Sequence, residues 1–108
     1  MTTTEKFNDY KVIHNFMYPD EKLKSWINED NYINHFVDDW GSLMEVVEKI
    51  ERIEDTDFIV YINVECCKIT ARETYPDLLI INTARTKIEA TYNSCVEFIN
   101  WYNQQKLN

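Results

Sequence analysis

The sequence predicts an α+β fold in which two long helices pack on a three-stranded antiparallel sheet, in the chain order α-β-β-β-α. Two segments each begin with a capping motif and continue with apolar residues at helical spacing, which predicts the helices. Three short runs rich in β-branched and aromatic residues lie between these segments and predict the sheet. We expect the 108 residues to form a single domain, with residues 1–38 as an irregular arm with short helical segments and residues 39–108 as the core.

The beginning of the chain has the weakest pattern. Over residues 1–19 the aromatic and aliphatic side chains follow no firm period, which predicts an arm or a short strand that packs on the domain. Pro19 ends any helix before it, because proline cannot continue a helix. Over residues 20–37 apolar side chains recur at broken helical spacing, so we expect short helices or turns there.

The first long helix is predicted over about residues 42–55. Ser42 and Glu45 form an S-x-x-E capping box, in which each side chain accepts the backbone N–H of the other residue. Apolar residues then recur along one stripe about 120° wide: Leu43, Val46, Val47, Ile50 and Ile53. Two i,i+4 pairs in the favourable Glu-first order lie on the other side: Glu45–Lys49 and Glu48–Arg52.

Three strands are predicted between residues 58 and 83. The run FIVYINV at 58–64 indicates a well-buried strand, KITAR at 68–72 alternates as a second, and LLII at 78–81 follows the turn ETYPD as a third. The first run carries apolar side chains at both odd and even positions. We therefore expect helices to cover both faces of the sheet.

The second long helix is predicted over about residues 86–105, where Thr86 and Glu89 form another capping box. Its apolar stripe is about 80° wide: Ile88, Tyr92, Cys95, Ile99 and Tyr102. Trp101 lies off this stripe. Either the N-terminal arm folds over Trp101 and buries it, or Trp101 stays exposed as an anchor for a partner or for self-association. Together the elements predict this core: Leu43, Val47, Ile50, Ile62, Ile88, Tyr92, Cys95 and Ile99.

The charge of the chain is concentrated in one segment. The whole sequence has 19 acidic and 11 basic residues, for a net charge of −8, and residues 20–57 alone hold twelve acidic and four basic residues. An acidic chain disfavours direct binding to nucleic acid, because phosphate binding depends on Lys and Arg. The acidic segment is either a solvated face or an interface for a basic partner.

The sequence nominates no catalytic residue, metal ligand or cofactor. The only glycine is Gly41, so no Gly-rich loop can bind a phosphate. Cys66 and Cys67 are adjacent, so on a strand they point to opposite faces and do not pair, and Cys95 lies on an apolar stripe. The cysteine pattern fits a reducing cytoplasm, and no apolar run is long enough to span a membrane. We expect a protein that is not an enzyme.

Two sequence blocks, DWGSLMEVVEKIE at 39–51 and KIEATYNSCVEFINWYN at 87–103, resemble a group of small uncharacterised proteins encoded by phages, prophages and mobile elements of Bacteroidota. Those proteins show a W-x-x-L-M-x-V-V-E-K-I helix and an I-E-A-x-Y-x-x-V-V-E-F-I-x-W-Y-N helix. Cys95 stands where valine is commoner in the group. The resemblance implies a phage or mobile-element origin and a small α+β domain, with no catalytic residue to carry over.

The resemblance and the charge together favour stoichiometric protein binding in the host cytoplasm. Phage accessory proteins of this size often inhibit host defence, so the leading hypothesis is an anti-CRISPR-like inhibitor that binds a basic host protein, such as a CRISPR effector or its RNA complex. The candidate partner-binding residues are Asp38, Asp39, Glu45, Glu48 and Trp101. Asp39 is also a candidate helix cap. Two alternatives are an RNA-binding module ordered like a double-stranded-RNA-binding domain, with Arg85 and Lys87 beginning its last helix, and a phage structural or assembly protein.

Overall fold

A computed structural model describes residues 2–107 and confirms the α+β class. The elements follow in this order: helix α1 (Thr3–Met17), a 3₁₀ turn (His35–Val37), helix α2 (Trp40–Glu51), strands β1 (Phe58–Ile62), β2 (Cys66–Ala71) and β3 (Leu79–Thr83), and helix α3 (Lys87–Leu107). The three strands form one antiparallel sheet in the order β1-β2-β3. No helix among the described residues has the length and apolar character needed to cross a bilayer.

Helix α1 corrects the prediction of an irregular N-terminal arm. Its first turn is held by a capping box, in which the Thr2 hydroxyl accepts the Glu5 N–H and the Glu5 carboxylate accepts the Thr2 N–H. The apolar period is blurred because α1 is packed on two sides. Its aromatic side chains contact Tyr32 and Phe36 of the following segment, and it also packs against α2 and α3.

Helix α2 begins and ends earlier than predicted. The N-cap is Asp39, which accepts the Gly41 N–H and the Ser42 hydroxyl, so Ser42 does not act as the predicted N-cap. The Glu48–Arg52 pair forms at 2.7 Å. Lys49 does not form the predicted pair with Glu45. Its ammonium donates to the backbone oxygens of Phe16 and Met17 at the C-terminus of α1, where the helix dipole favours a cation.

Within residues 2–107, the helices cover one face of the sheet only, which corrects the expectation of cover on both. Its inner face belongs to one core with the three helices and consists of Phe58, Val60, Ile62, Cys67, Ile69, Ala71, Ile80 and Asn82. Its outer face consists of Ile59, Tyr61, Cys66, Lys68, Thr70, Leu79, Ile81 and Thr83. Among these, Tyr61, Leu79 and Ile81 are 47%, 62% and 53% exposed. β1 thus has apolar residues at both odd and even positions, although the helices cover only one of its two faces.

Helix α3 is buried along more of its circumference than the predicted stripe. The Ser94 hydroxyl donates to the backbone oxygen of Cys67 at 2.8 Å and accepts from the Asn82 amide at 3.1 Å, so this side of the helix faces β2 and β3. The ring of Tyr102 meets Phe16 of α1 edge-on, with centroids 6.5 Å apart. Small side chains at Ala90 and Ser94, both fully buried, let the helix approach the sheet closely.

Most of the predicted core is confirmed. Six of its members are buried, namely Leu43, Val47, Ile50, Tyr92, Cys95 and Ile99, whereas Ile62 and Ile88 are half-buried. Residues outside the prediction add large volumes, above all Phe98 of α3 and Ile13 of α1, which are fully buried. Phe98 packs edge-on against Phe58 with ring centroids 4.7 Å apart, which ties α3 to the start of β1.

Replacing Ile50 or Ile99 by Ala should lower the free energy of unfolding by about 2–5 kcal/mol, because both side chains are fully buried and truncation leaves a cavity. Urea denaturation followed by circular dichroism measures this loss. The matched control is Ile33→Ala, at a site 69% exposed, which should change stability by less than about 0.5 kcal/mol. A loss below about 1 kcal/mol at both core sites would contradict the core described above.

Candidate functional site

The four candidate acidic residues lie along α2 and at its N-terminal flank, and all four are exposed. Asp38 follows the 3₁₀ turn and Asp39 caps α2. Glu45 and Glu48 lie about one turn apart on the helix, roughly 4.5 Å along its axis at 1.5 Å per residue, and Asp38 and Asp39 precede its first residue. Asp38 and Glu45 form no side-chain hydrogen bond or salt bridge with another described residue, whereas Glu48 pairs with Arg52.

Several other acidic residues of the 20–57 segment stabilise the fold. Glu51 accepts the backbone N–H of Val60 at 3.0 Å, and Glu29 accepts the hydroxyl of Thr4 at 2.6 Å. Asp57 accepts the backbone N–H groups of Glu73 and Thr74 and the Thr74 hydroxyl, and so holds the loop between β2 and β3. The charge excess of this segment is thus partly structural, and the carboxylates left for a partner are fewer than the sequence count.

Asp39 is the candidate residue with the clearest structural use. The hydroxyl of Ser42, donating at 2.7 Å, and the backbone N–H of Gly41, at 3.2 Å, hold the pKa of its carboxyl below the ordinary value. These bonds favour the ionised form, as they do at any carboxylate N-cap. Asp39 therefore keeps its charge while its oxygens are already engaged with the first turn of α2.

Trp101 is half-buried in a cluster of aromatic rings. Its ring meets Tyr75 at 4.9 Å and Phe58 at 6.0 Å edge-on, and lies 5.8 Å from Phe98. The cover comes from β1 and the β2–β3 loop, and the aromatic contact of α1 is with the neighbouring Tyr102 instead. Trp101 also lines a shallow groove together with Tyr75 and Leu79. Trp101 is thus neither covered by the N-terminal segment nor fully exposed, in contrast to both alternatives predicted from the sequence.

The outer face of the sheet is a surface that the sequence did not nominate. Tyr61, Lys68 and Ile81 lie side by side across the three strands, and the Lys68 ammonium is 4.9 Å from the centre of the Tyr61 ring. Leu79 and Ile81 are neighbouring exposed apolar residues on this face, and exposed apolar patches are typical of interaction surfaces. The sequence analysis missed this surface because helices were expected to cover both faces of the sheet, including the face of Leu79 and Ile81.

The thiols do not form a reactive centre. Cys67 and Cys95 are buried, and burial raises the pKa of both thiols, so they stay protonated at neutral pH. Cys66 lies on the outer face, which confirms that the adjacent pair Cys66–Cys67 points to opposite sides. Within residues 2–107 no group of three or more His, Cys, Asp or Glu side chains is placed to hold a metal ion.

The pKa of Asp39 should lie below the ordinary aspartate value. It should rise when Ser42 is replaced by Ala, because the substitution removes the hydrogen bond that lowers this pKa most. Because the folded-state pKa is lowered, this bond stabilises the fold at neutral pH, and the contribution disappears as the pH falls through that pKa. NMR titration of the Asp39 carboxyl carbon in the wild type and in Ser42→Ala measures the shift. Equal titration curves would contradict the capping geometry.

Trp101→Ala should lower the free energy of unfolding by about 2–4 kcal/mol, because Trp101 loses its packing against Phe58, Tyr75 and Phe98. Trp26→Ala, at a site 66% exposed, is the matched control and should cost less than about 0.5 kcal/mol. Thermal and urea denaturation of both variants make the comparison. Equal stability of the two variants would show that the aromatic cluster does not hold Trp101.

The chain matches no protein-family model, no curated protein and no solved structure. Its function must therefore be inferred from its own residues: the unpaired carboxylates on and beside α2, the half-buried Trp101, and the uncovered outer face of the sheet.

Proposed function

We propose that this protein acts by stoichiometric binding to a basic protein surface, most concretely as an inhibitor of a nucleic-acid-binding defence effector in a phage or mobile-element context. The observation that carries the proposal is that Asp38, just before α2, and Glu45, on the exposed side of α2, are exposed carboxylates without a side-chain hydrogen bond or salt bridge to another described residue, with Glu48 beside Glu45 on the same helix. A surface of this kind attracts Lys- and Arg-rich surfaces and speeds their association.

The phage context rests on the resemblance of the α2 and α3 sequence blocks to phage-encoded proteins. A basic channel that holds guide and target nucleic acid is the type of partner that an acidic domain can occupy. Other acidic residues of the chain, such as Glu51 and Asp57, are engaged in the fold, so they are less available to a partner than the carboxylates of the α2 surface. The host cytoplasm is the compartment where such an effector operates.

RNA binding is the second candidate. One observation favours it: the order helix, three antiparallel strands, helix is present, and Arg85 and Lys87 are exposed at the start of α3. Two bases offer few phosphate contacts, and the net charge of −8 opposes them. No feature of the described residues specifically favours a structural or assembly role in a phage particle.

The proposal is tested by capture of partners from host lysate, with and without nuclease, followed by calorimetry on the purified partner. Reversal of charge in Glu45→Lys/Glu48→Lys should weaken binding by about tenfold or more and flatten its salt dependence. The matched control, Glu65→Lys/Glu73→Lys, makes the same change in net charge at exposed sites outside α2 and should weaken binding by less than about threefold.

Equal losses in the two double variants would mean that net charge alone attracts the partner and that the α2 surface is a solvated face. Direct RNA binding by the isolated protein at low salt, fading steeply as salt is raised and lost in Arg85→Glu/Lys87→Glu, would instead support the RNA-binding candidate.

A further inference from the structure

Strand β3 forms an unpaired edge of the sheet. Its neighbour is β2, and no other described segment pairs with its far side. The Ala84 N–H donates to the backbone oxygen of Glu65 at 2.9 Å, so Ala84 and Glu65 are a hydrogen-bonded pair. In the register of the two strands, Ile80 and Asn82 are then the residues of β3 that exchange hydrogen bonds with β2. Because bonded and non-bonded pairs alternate in an antiparallel ladder, the backbone N–H and C=O groups of Leu79, Ile81 and Thr83 point away from β2.

The opposite edge of the sheet differs, because it is blocked by a side chain. The same alternation turns the Val60 N–H outward from β1, and there it is bound by the carboxylate of Glu51 at 3.0 Å. No side chain of residues 2–107 makes an equivalent bond to the outward groups of β3. The β3 sequence LIINT also contains no charge and no proline, the usual devices that prevent edge pairing.

We propose that the β3 edge is the interface for a second copy of this chain, which pairs antiparallel about a twofold axis at Ile81 to form a continuous six-stranded sheet. In this register Ile81 faces Ile81 of the second copy, and Leu79 faces its Thr83. All three outward-facing residues of each β3 then exchange both backbone hydrogen bonds, about six bonds in total. A twofold axis at this position makes the interface self-complementary, as in most homodimers.

Charge complementarity singles out this partner and this register. Asp77 lies four positions before Ile81 and Arg85 lies four positions after it, and both are exposed. Asp77 and Arg85 lie just beyond the two ends of β3 (Leu79–Thr83), so antiparallel pairing centred on Ile81 brings Asp77 of one copy close to Arg85 of the other, twice per dimer. A shift of the centre to Thr83 places Asp77 opposite Glu89 and loses this match. A shift to Leu79 leaves only a pair of Arg85 with Glu73, which lies farther from the strand, so the ion pairs favour the register centred on Ile81.

The dimer should be weak. Pairing of two short strands buries less area than the roughly 1,200 Å² typical of stable complexes. Asp9 and Glu97 also line a shallow groove beside Asn82 on the helical side of this edge, where the two copies bring like charges together. We therefore expect dissociation constants of about 10–500 µM, in the range of transient encounters.

Sedimentation equilibrium of the full chain from about 5 µM to 1 mM tests the proposal, with a monomer–dimer equilibrium as the expected result. Ile81→Lys places two like charges opposite each other at the axis and should abolish dimerisation. Tyr61→Lys adds the same charge to the same outer face, but on β1, and should leave the dimer constant within about threefold. Circular dichroism checks that both variants fold.

A charge exchange tests the register. Asp77→Arg and Arg85→Glu should each weaken the dimer by about tenfold, and the double variant Asp77→Arg/Arg85→Glu should restore wild-type affinity within about threefold. A chain that stays monomeric throughout the concentration range would overturn the proposal. Equal loss of association in Tyr61→Lys and Ile81→Lys would overturn it as well, because it would mean that two sheets pack face to face.

Discussion

The structure depends on burying one face of a three-stranded sheet. A small sheet needs an apolar face or a packed helix to be stable, and here the inner face forms a core with the helices that pack against it. Residues from β1, β2 and β3 and from all three helices form a single cluster around Ile69, Ile50 and Phe98. Because side chains alternate along a strand, covering one face leaves every second residue of each strand on the uncovered side.

Helix α3 joins the sheet to the other two helices. It can do so because it has buried side chains on more than one side: Ser94 bonds to the sheet, whereas Tyr102 meets α1. A second polar contact joins the segment before α2 to the same helix, since the amide of Asn34 donates to the hydroxyl of Tyr92 at 3.0 Å. Burial of this hydroxyl raises the pKa of Tyr92 to about 12, so it stays protonated and can serve as a neutral hydrogen-bonding group.

The charged residues divide into those that stabilise the fold and those available to a partner. Lys49 binds the C-terminus of α1, Asp39 caps α2, Glu51 protects the edge of β1 and Asp57 holds the β2–β3 loop. Asp38 and Glu45 have no such use, and the outer sheet face and the β3 edge present apolar and backbone groups instead. The molecule thus carries two chemically different surfaces, one acidic and one apolar, which suit different partners.

The sequence by itself determined the α+β class, the three strands, the two long helices and most of the core, because capping residues and periodic apolar side chains act over short distances. It also contained the Thr2–Glu5 capping box of α1, whose apolar period was hidden because the helix packs on two sides. Only the tertiary structure decided which face of the sheet is covered, because β1 has apolar residues at both odd and even positions. It alone also decided that Trp101 packs on Phe58 and Tyr75, and which carboxylates remain unpaired, because these contacts join residues far apart in the chain.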